Sequence, residues 1–206
     1  MTAPTYLIRP AMPDDLQAVL ALRSEAEQWL AEVGIVQWTP DYGQYAVGVL
    51  TDWVRSGAAW VVDDGCRVVA TVSAMNVPDL DFWGWADPVD RLDAVYLGKM
   101  IVARSHAGLG LGDAILNWAS LRAASAQVQW LRIDVRRDNL KLQGYYLSRG
   151  FAHVRTWHAP GRRTESGWMA QRPAGTVTPT PSEVHEEDDF NSAAAACRST
   201  LTRNGG

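Results

Sequence analysis

Apolar residues in the first half of the chain change period several times, and each change predicts a new element. The apolar run at 6–9 indicates a strand, and Pro13-Asp14-Asp15 then opens a helix with apolar residues at helical spacing. A second helical pattern covers about 44–55. The runs at 59–62 and 67–74, joined by Asp-Asp-Gly, predict an antiparallel hairpin.

The second half predicts a parallel pair and two closing strands. A buried strand at 95–102 leads into the glycine-rich segment HAGLGLG, a helix at 113–126 and a strand at 130–135. A strand, a helix and a strand in that order form a parallel pair joined by a crossover. A helix at 139–148 and strands at 151–157 and 167–171 follow. We therefore expect one α+β domain over residues 4–173, with a mixed, mainly antiparallel twisted sheet flanked by helices on both faces.

The last stretch of the chain has a different composition. Residues 174–206 contain few large apolar side chains and carry an acidic cluster. Such a stretch buries too little apolar surface to offset the entropy of ordering it. The sequence therefore predicts a disordered acidic tail.

Charge and cysteine content exclude several classes of protein. The net charge is −4, and the five acidic residues and two arginines of the tail contribute three of those negative charges. A nucleic-acid binder normally has a basic surplus. We find neither a signal pattern nor an apolar stretch long enough for a membrane span, and the two cysteines offer no disulfide framework or metal site. These features predict a cytoplasmic protein without metal, membrane or nucleic-acid partner, either a monomer or a homodimer.

The glycine-rich segment is the first candidate for chemistry. Glycines let the backbone approach an anion, and the amides of a following helix point at it, so Gly108-Leu109-Gly110-Leu111-Gly112 predicts a pyrophosphate site. A tight turn without a ligand is the plainer interpretation. A nicotinamide-binding fold is a rival, since Asp134 follows at a suitable distance, but Asp113 replaces its third glycine and an antiparallel half comes first. The nucleoside-triphosphate loop is excluded because no Gly-Lys-Ser/Thr ending is present.

A second motif follows one strand later, and the pair of motifs resembles a known family. HAGLGLGDAIL and NLKLQGYYLSRGF, in this order, are similar to the two signatures of the GNAT acetyltransferase superfamily, and the opening YLIRPAMPDD is similar to its first strand and helix start. The resemblance covers nearly all of the predicted domain and implies an N-acetyltransferase that uses acetyl-CoA as acyl donor. It departs from the family at Ala107, where Arg or Gln is preferred; Arg104 or His106 could substitute.

The resemblance also implies roles for individual residues. The strand residues would pair with the pantetheine arm, the glycine-loop amides would bind the pyrophosphate, and Asn139 would contact the pantetheine or open its helix. Tyr146 would be the general acid that protonates the departing thiolate. The implied acetyl-CoA-binding residues are Met100, Ile101, Val102, Gly108, Leu109, Gly110, Leu111, Gly112, Asp113 and Asn139.

The general base and the acceptor are not settled by the sequence. Many relatives carry a Glu on the strand before the phosphate loop, and AVYLGKMIV has none. Asp134 is the candidate base, and Tyr96 or an aspartate of the loop at 76–93 are lesser candidates. The aspartates and aromatic residues of 76–93 suggest a cationic amine acceptor. The missing Glu also leaves open a CoA-binding module without turnover.

Overall fold

The computed structural model describes residues 4–35, 40–76, 83, 90, 92–158 and 166–187. The strands are β1 (Thr5–Pro10), β2 (Ala59–Asp63), β3 (Val68–Met75), β4 (Ala94–Val102), β5 (Trp130–Arg136), β6 (Ala152–Thr156), β7 (Ser166–Pro173) and β8 (Glu183–Glu186). The longer helices are α1 (Leu16–Glu32), α2 (Pro40–Arg55), α3 (Leu111–Ser125) and α4 (Leu140–Leu147). Short 3₁₀ helices lie at Pro13–Asp15 and Arg104–His106.

The predicted fold class is confirmed. The eight strands form a mixed sheet, and antiparallel pairs outnumber parallel pairs among the strand pairings described. Residues cluster into two compact units, the first made of the chain up to Ser73, Lys99–Ala114 and the part from Thr180 on. The second unit comprises Ala74–Gly98 and Ile115–Pro179.

The first unit contains the predicted hairpin. Strands β2 and β3 pair antiparallel, and β2 also pairs antiparallel with β1. The carboxylate of Asp63 accepts a hydrogen bond from the amide of Gly65, which has φ +90°, so the Asp-Asp-Gly turn closes as its sequence predicts. Apolar residues of α1, α2 and β2 pack in one core together with Ala11, which follows β1: Val19, Leu50, Val54, Ala59 and Val61.

The second unit contains the predicted parallel pair. Strands β4 and β5 are parallel, with Ala94 opposite Trp130 and Leu97 opposite Ile133. Strand β7 lies between β5 and β6 and is antiparallel to both. Arg172 of β7 is fully buried and donates to the carbonyls of Leu116 and Arg149, so it ties the strand to two other segments of this unit.

The predicted disordered tail is wrong for residues 174–187. Glu183–Glu186 form β8, which runs parallel to β1 with Tyr6 opposite Val184. The reasoning from composition considered only apolar burial, whereas a sheet edge also binds a chain through its backbone hydrogen bonds. Residues 188–206 lie outside the described residues.

Candidate active site

The end of β4 is bent one residue before the strand segment that was predicted to bind pantetheine. Lys99 has φ +47°, which is uncommon for a residue with a side chain and interrupts the regular pleat. The pairing described between β4 and β5 ends at Leu97 and Ile133, so Met100–Val102 lie beyond it. Ile101 is buried, and the amide of the following Ala103 donates to the carbonyl of Val69.

The glycine segment forms an exposed turn that opens directly into α3. Gly108 and Gly110 both have φ near +80°, a conformation that glycine adopts without strain. The first helical bond runs from the amide of Ala114 to the carbonyl of Gly110, so the preceding amides at 111–113 belong to the first turn. First-turn amides and the positive end of the helix dipole favour an anion, and a Cβ built at Gly108 meets nothing within 4 Å. The turn therefore fits a pyrophosphate.

The two side chains proposed to substitute for the missing Arg or Gln at position 107 are engaged elsewhere. The guanidinium of Arg104 lies 4.0 Å from the ring centroid of Trp29, and its backbone amide donates to Glu25. The His106 ring packs edge-on against Tyr6, with Nδ1 2.9 Å from the hydroxyl of Ser105. These contacts hold the start of the loop against α1 and β1.

The other side of the loop contacts the C-terminal segment, which the sequence reasoning missed. The hydroxyl of Thr180 donates to the carbonyl of Gly110 at 3.0 Å, and the hydroxyl of Ser182 donates to the carbonyl of Leu109. A Cβ built at Gly110 would lie 2.6 Å from the Pro181 ring. Serine and threonine in an acidic tail gave no signal of this contact in the sequence.

In the second unit, α4 presents the predicted acid. Asn139 caps the helix by accepting a hydrogen bond from the amide of Leu142 at 3.0 Å, which agrees with a helix-opening role. Gln143, also missed from the sequence, is buried and donates to the carbonyls of Arg136 and Arg137 at the end of β5. These bonds fix the orientation of the helix that carries Tyr146.

The ring of Tyr146 is buried and packs edge-on against Phe151, with a centroid distance of 5.4 Å. Burial raises the pKa of its phenol well above the ordinary value, and the negative charge of Asp134 raises that pKa further. The positive charge of Arg149 lowers the pKa in part. The phenol therefore stays protonated at neutral pH. The neighbouring Tyr145 is half-buried beneath the guanidinium of Arg149, as expected for a packing residue.

The candidate base, Asp134, has a structural contact as well as its electrostatic one. Its carboxylate accepts a hydrogen bond from the amide of Gly167 at 3.1 Å. Gly167 has φ +130°, and a Cβ there would collide with the carbonyl of Trp157. Asp134 therefore helps to hold an irregular part of β7 beside Tyr146. The lesser candidate, Tyr96, accepts a hydrogen bond from the buried Arg132, which leaves its hydroxyl poorly suited to take a proton from an amine.

Most of the acceptor loop proposed at 76–93 lies outside the described residues. Trp83 is an exception: it is buried against Tyr96 and Met169, so it serves as a core residue. No group of three or more His, Cys, Asp or Glu side chains in the described ranges is placed to hold a metal ion. Likewise, none of the helices in that part of the chain has the length and apolar character needed to span a membrane.

Comparison with known proteins identifies a family and a relative that this chain resembles in sequence. The sequence profile of the acetyltransferase (GNAT) family matches residues 23–151. An uncharacterized N-acetyltransferase, YesJ of Bacillus subtilis, is 25% identical over 143 residues, which cover 69% of this chain and 79% of YesJ.

Solved structures show the same fold. A GNAT-family acetyltransferase from Listeria monocytogenes has a TM-score of 0.65 at 22% identity, covering 82% of this chain and 94% of its own. The PaiA N-acetyltransferase of Thermoplasma acidophilum, solved in complex with coenzyme A, has a TM-score of 0.60 at 13% identity, with 82% and 98% covered.

Proposed function

Because the chain belongs to the acetyltransferase (GNAT) family, we propose that it transfers an acetyl group from acetyl-CoA to a primary amine of a small molecule or peptide. The observation that carries the proposal is the exposed glycine turn, which follows β4 and opens into the N-terminus of α3. That turn offers backbone amides where a pyrophosphate needs them. The coenzyme A complex of a protein with this fold supports the same assignment.

Two segments of the first unit would hold the donor. Met100–Val102 would pair with the pantetheine arm in the manner of an added strand, and the amides from Gly108 to Asp113 would bind the pyrophosphate. Acetyl-CoA, once bound, supplies the thioester whose acetyl group is transferred. A backbone amide of β4 near Ile101 would stabilise the oxyanion that develops during transfer, because such a donor needs no reorganisation.

The reaction also requires groups that donate and accept protons. The amine must lose a proton and the departing thiolate must gain one. We propose that Tyr146 donates a hydrogen bond to the thiolate. Its raised pKa keeps the phenol protonated but also makes it a weaker acid than a thiol, whose ordinary pKa is about 8.5. Stabilisation of the developing negative charge would therefore contribute more than proton transfer from the phenol, and the thiolate would take its proton from water as it leaves.

Asp134 is our proposed acceptor for the proton of the amine, acting through water. The bond that it accepts from Gly167 also favours a second candidate function, because one oxygen of the carboxylate is already engaged by the backbone. That second function is a CoA-binding module of the same fold without turnover. In either case we propose a reducing, cytoplasmic location, because the two cysteines offer no disulfide framework.

Two measurements test the proposal in order. Isothermal titration with acetyl-CoA should give saturable binding, and at 100 times the Kd acetyl-CoA should stabilise the fold by about 2.7 kcal/mol, whereas NADH should not. Release of free thiol is then measured across cationic and neutral amines. Binding with amine-dependent thiol release supports the transferase, binding without release on any amine supports the module, and absence of binding refutes both.

A further inference from the structure

The C-terminal strap, which we define as Thr180–Glu186, binds two consecutive carbonyls of the glycine loop. The hydroxyl of Thr180 donates to Gly110 and the hydroxyl of Ser182 donates to Leu109. Ser182 is fully buried, and its backbone amide donates a hydrogen bond to the hydroxyl of Thr180 at 3.3 Å. The two contacts therefore belong to a packed part of the first unit.

The strap is held in place by backbone pairing and by shape. Its residues Glu183–Glu186 form β8, in parallel register with Thr5–Ile8 of β1. The Pro181 ring occupies the space that a side chain at Gly110 would need, at 2.6 Å from an ideal Cβ. The docked strap thus requires a residue without a side chain at position 110.

A hydrogen bond that holds a backbone carbonyl also fixes the direction of the amide N–H of the following residue. The peptide unit is planar and trans, so its N–H points away from its C=O. With the carbonyl of Leu109 bound to Ser182, the amide of Gly110 is directed away from the strap. The carbonyl of Gly110 accepts bonds from both Thr180 and the amide of Ala114, so the strap and the first turn of α3 together direct the amide of Leu111.

We infer that Thr180 and Ser182 are positioning residues, which aim the amides of Gly110 and Leu111 at the pyrophosphate of acetyl-CoA. The inference rests on the proposed function of the loop as the pyrophosphate site. Without the hydroxyl of Ser182, the peptide unit between Leu109 and Gly110 loses its anchor and can turn its carbonyl oxygen toward the phosphates, which repel it. The peptide unit between Gly110 and Leu111 keeps the helical bond from Ala114, so loss of the Thr180 hydroxyl loosens it less. The affinity for acetyl-CoA therefore depends on a segment outside the part of the chain that matches the family profile.

The test compares Thr180→Ala and Ser182→Ala with two controls. Thr180→Ser keeps the hydroxyl, and Thr176→Ala removes a threonine hydroxyl that donates to Pro173 and not to the loop. Dissociation constants are measured for acetyl-CoA by calorimetry. Dissociation constants for S-acetylpantetheine, which lacks the pyrophosphate, are measured by NMR titration because this method can quantify weak binding.

We expect Ser182→Ala to weaken acetyl-CoA binding about fivefold, the size of one hydrogen bond of about 1 kcal/mol. Thr180→Ala should weaken it by a smaller factor, because Ala114 still binds the carbonyl of Gly110. Binding of S-acetylpantetheine should be unchanged, and both controls should bind acetyl-CoA like the parent. Equal or tighter binding of acetyl-CoA by the alanine variants overturns the inference, as does an equal loss for both ligands. If Ser182→Ala does not fold, the comparison of Thr180→Ala with Thr180→Ser tests the inference by itself. Failure of the parent itself to bind acetyl-CoA refutes the proposed function.

Discussion

Replacing Gly110 by alanine tests the contact between the glycine loop and the strap through stability alone. Gly110 and Gly108 have nearly the same backbone conformation, with φ of +80° and +81°. They differ in surroundings: a Cβ at Gly108 meets nothing within 4 Å, whereas one at Gly110 meets Pro181 at 2.6 Å and the Thr180 hydroxyl at 2.7 Å. The pair therefore separates backbone strain from steric collision.

The expected magnitudes follow from these distances. An alanine in the left-handed region costs about 1 to 2 kcal/mol, which is the whole effect at Gly108. At Gly110 the collision adds about 1 to 3 kcal/mol, because the proline ring cannot rotate away as a flexible side chain can. For a chain of this size, 1 kcal/mol lowers Tm by about 2 to 4 °C. We expect Gly110→Ala to lower Tm by several degrees more than Gly108→Ala.

The assay is thermal unfolding followed by circular dichroism, without ligand, on both variants and the parent. A third comparison places each substitution in a chain that ends at Pro179, where the strap is absent. There the excess cost at Gly110 should disappear, since the neighbours that it meets have been removed. Equal losses of Tm for the two variants in the full chain would refute the docked strap.

Three further predictions address the tail, the acid and an ion pair. A chain that ends at Glu187 should unfold at the parent's Tm, whereas one that ends at Gly175 should lose several degrees because β8 is gone; equal Tm values would contradict the strand pairing. Tyr146→Phe should lower turnover about a hundredfold with acetyl-CoA binding unchanged, as measured by thiol release and calorimetry, and unchanged turnover would remove this residue from the mechanism. Arg9 binds both carboxylate oxygens of Asp15 and lowers the pKa of that carboxyl in the folded state. The ion pair therefore stabilises the fold fully at pH values above the unfolded-state pKa of about 3.9. This stabilisation is lost as the pH falls through the lower pKa of the folded state. Asp15→Asn should therefore cost about 1 kcal/mol near pH 7 and progressively less below about pH 4, and a cost that does not change with pH would contradict this assignment.

Local patterns in the sequence were sufficient for the fold class and for the order of the site segments. Apolar periodicity predicted the hairpin, the parallel pair and α4, because strands and helices bury one face at a fixed spacing. The helix-opening role of Asn139, one of two roles that the family resemblance implied for it, also depends on nearby residues, since its carboxamide binds an amide only three residues away. The placement of the glycine turn before α3 is also a short-range property of the chain.

What only the tertiary structure decided involves residues far apart in the chain. The glycine at 110 was interpreted as a space for phosphate, yet its nearest neighbours are side chains 70 residues later. Asp134 was considered as a base from its strand position alone. In the structure its carboxylate also holds the backbone of Gly167, 33 residues away, through a hydrogen bond. The tail was judged by its lack of apolar side chains, but hydroxyl and backbone hydrogen bonds dock it. Hydrogen bonds between distant segments leave no periodic trace, because one polar atom needs only one partner and any sequence separation can supply it.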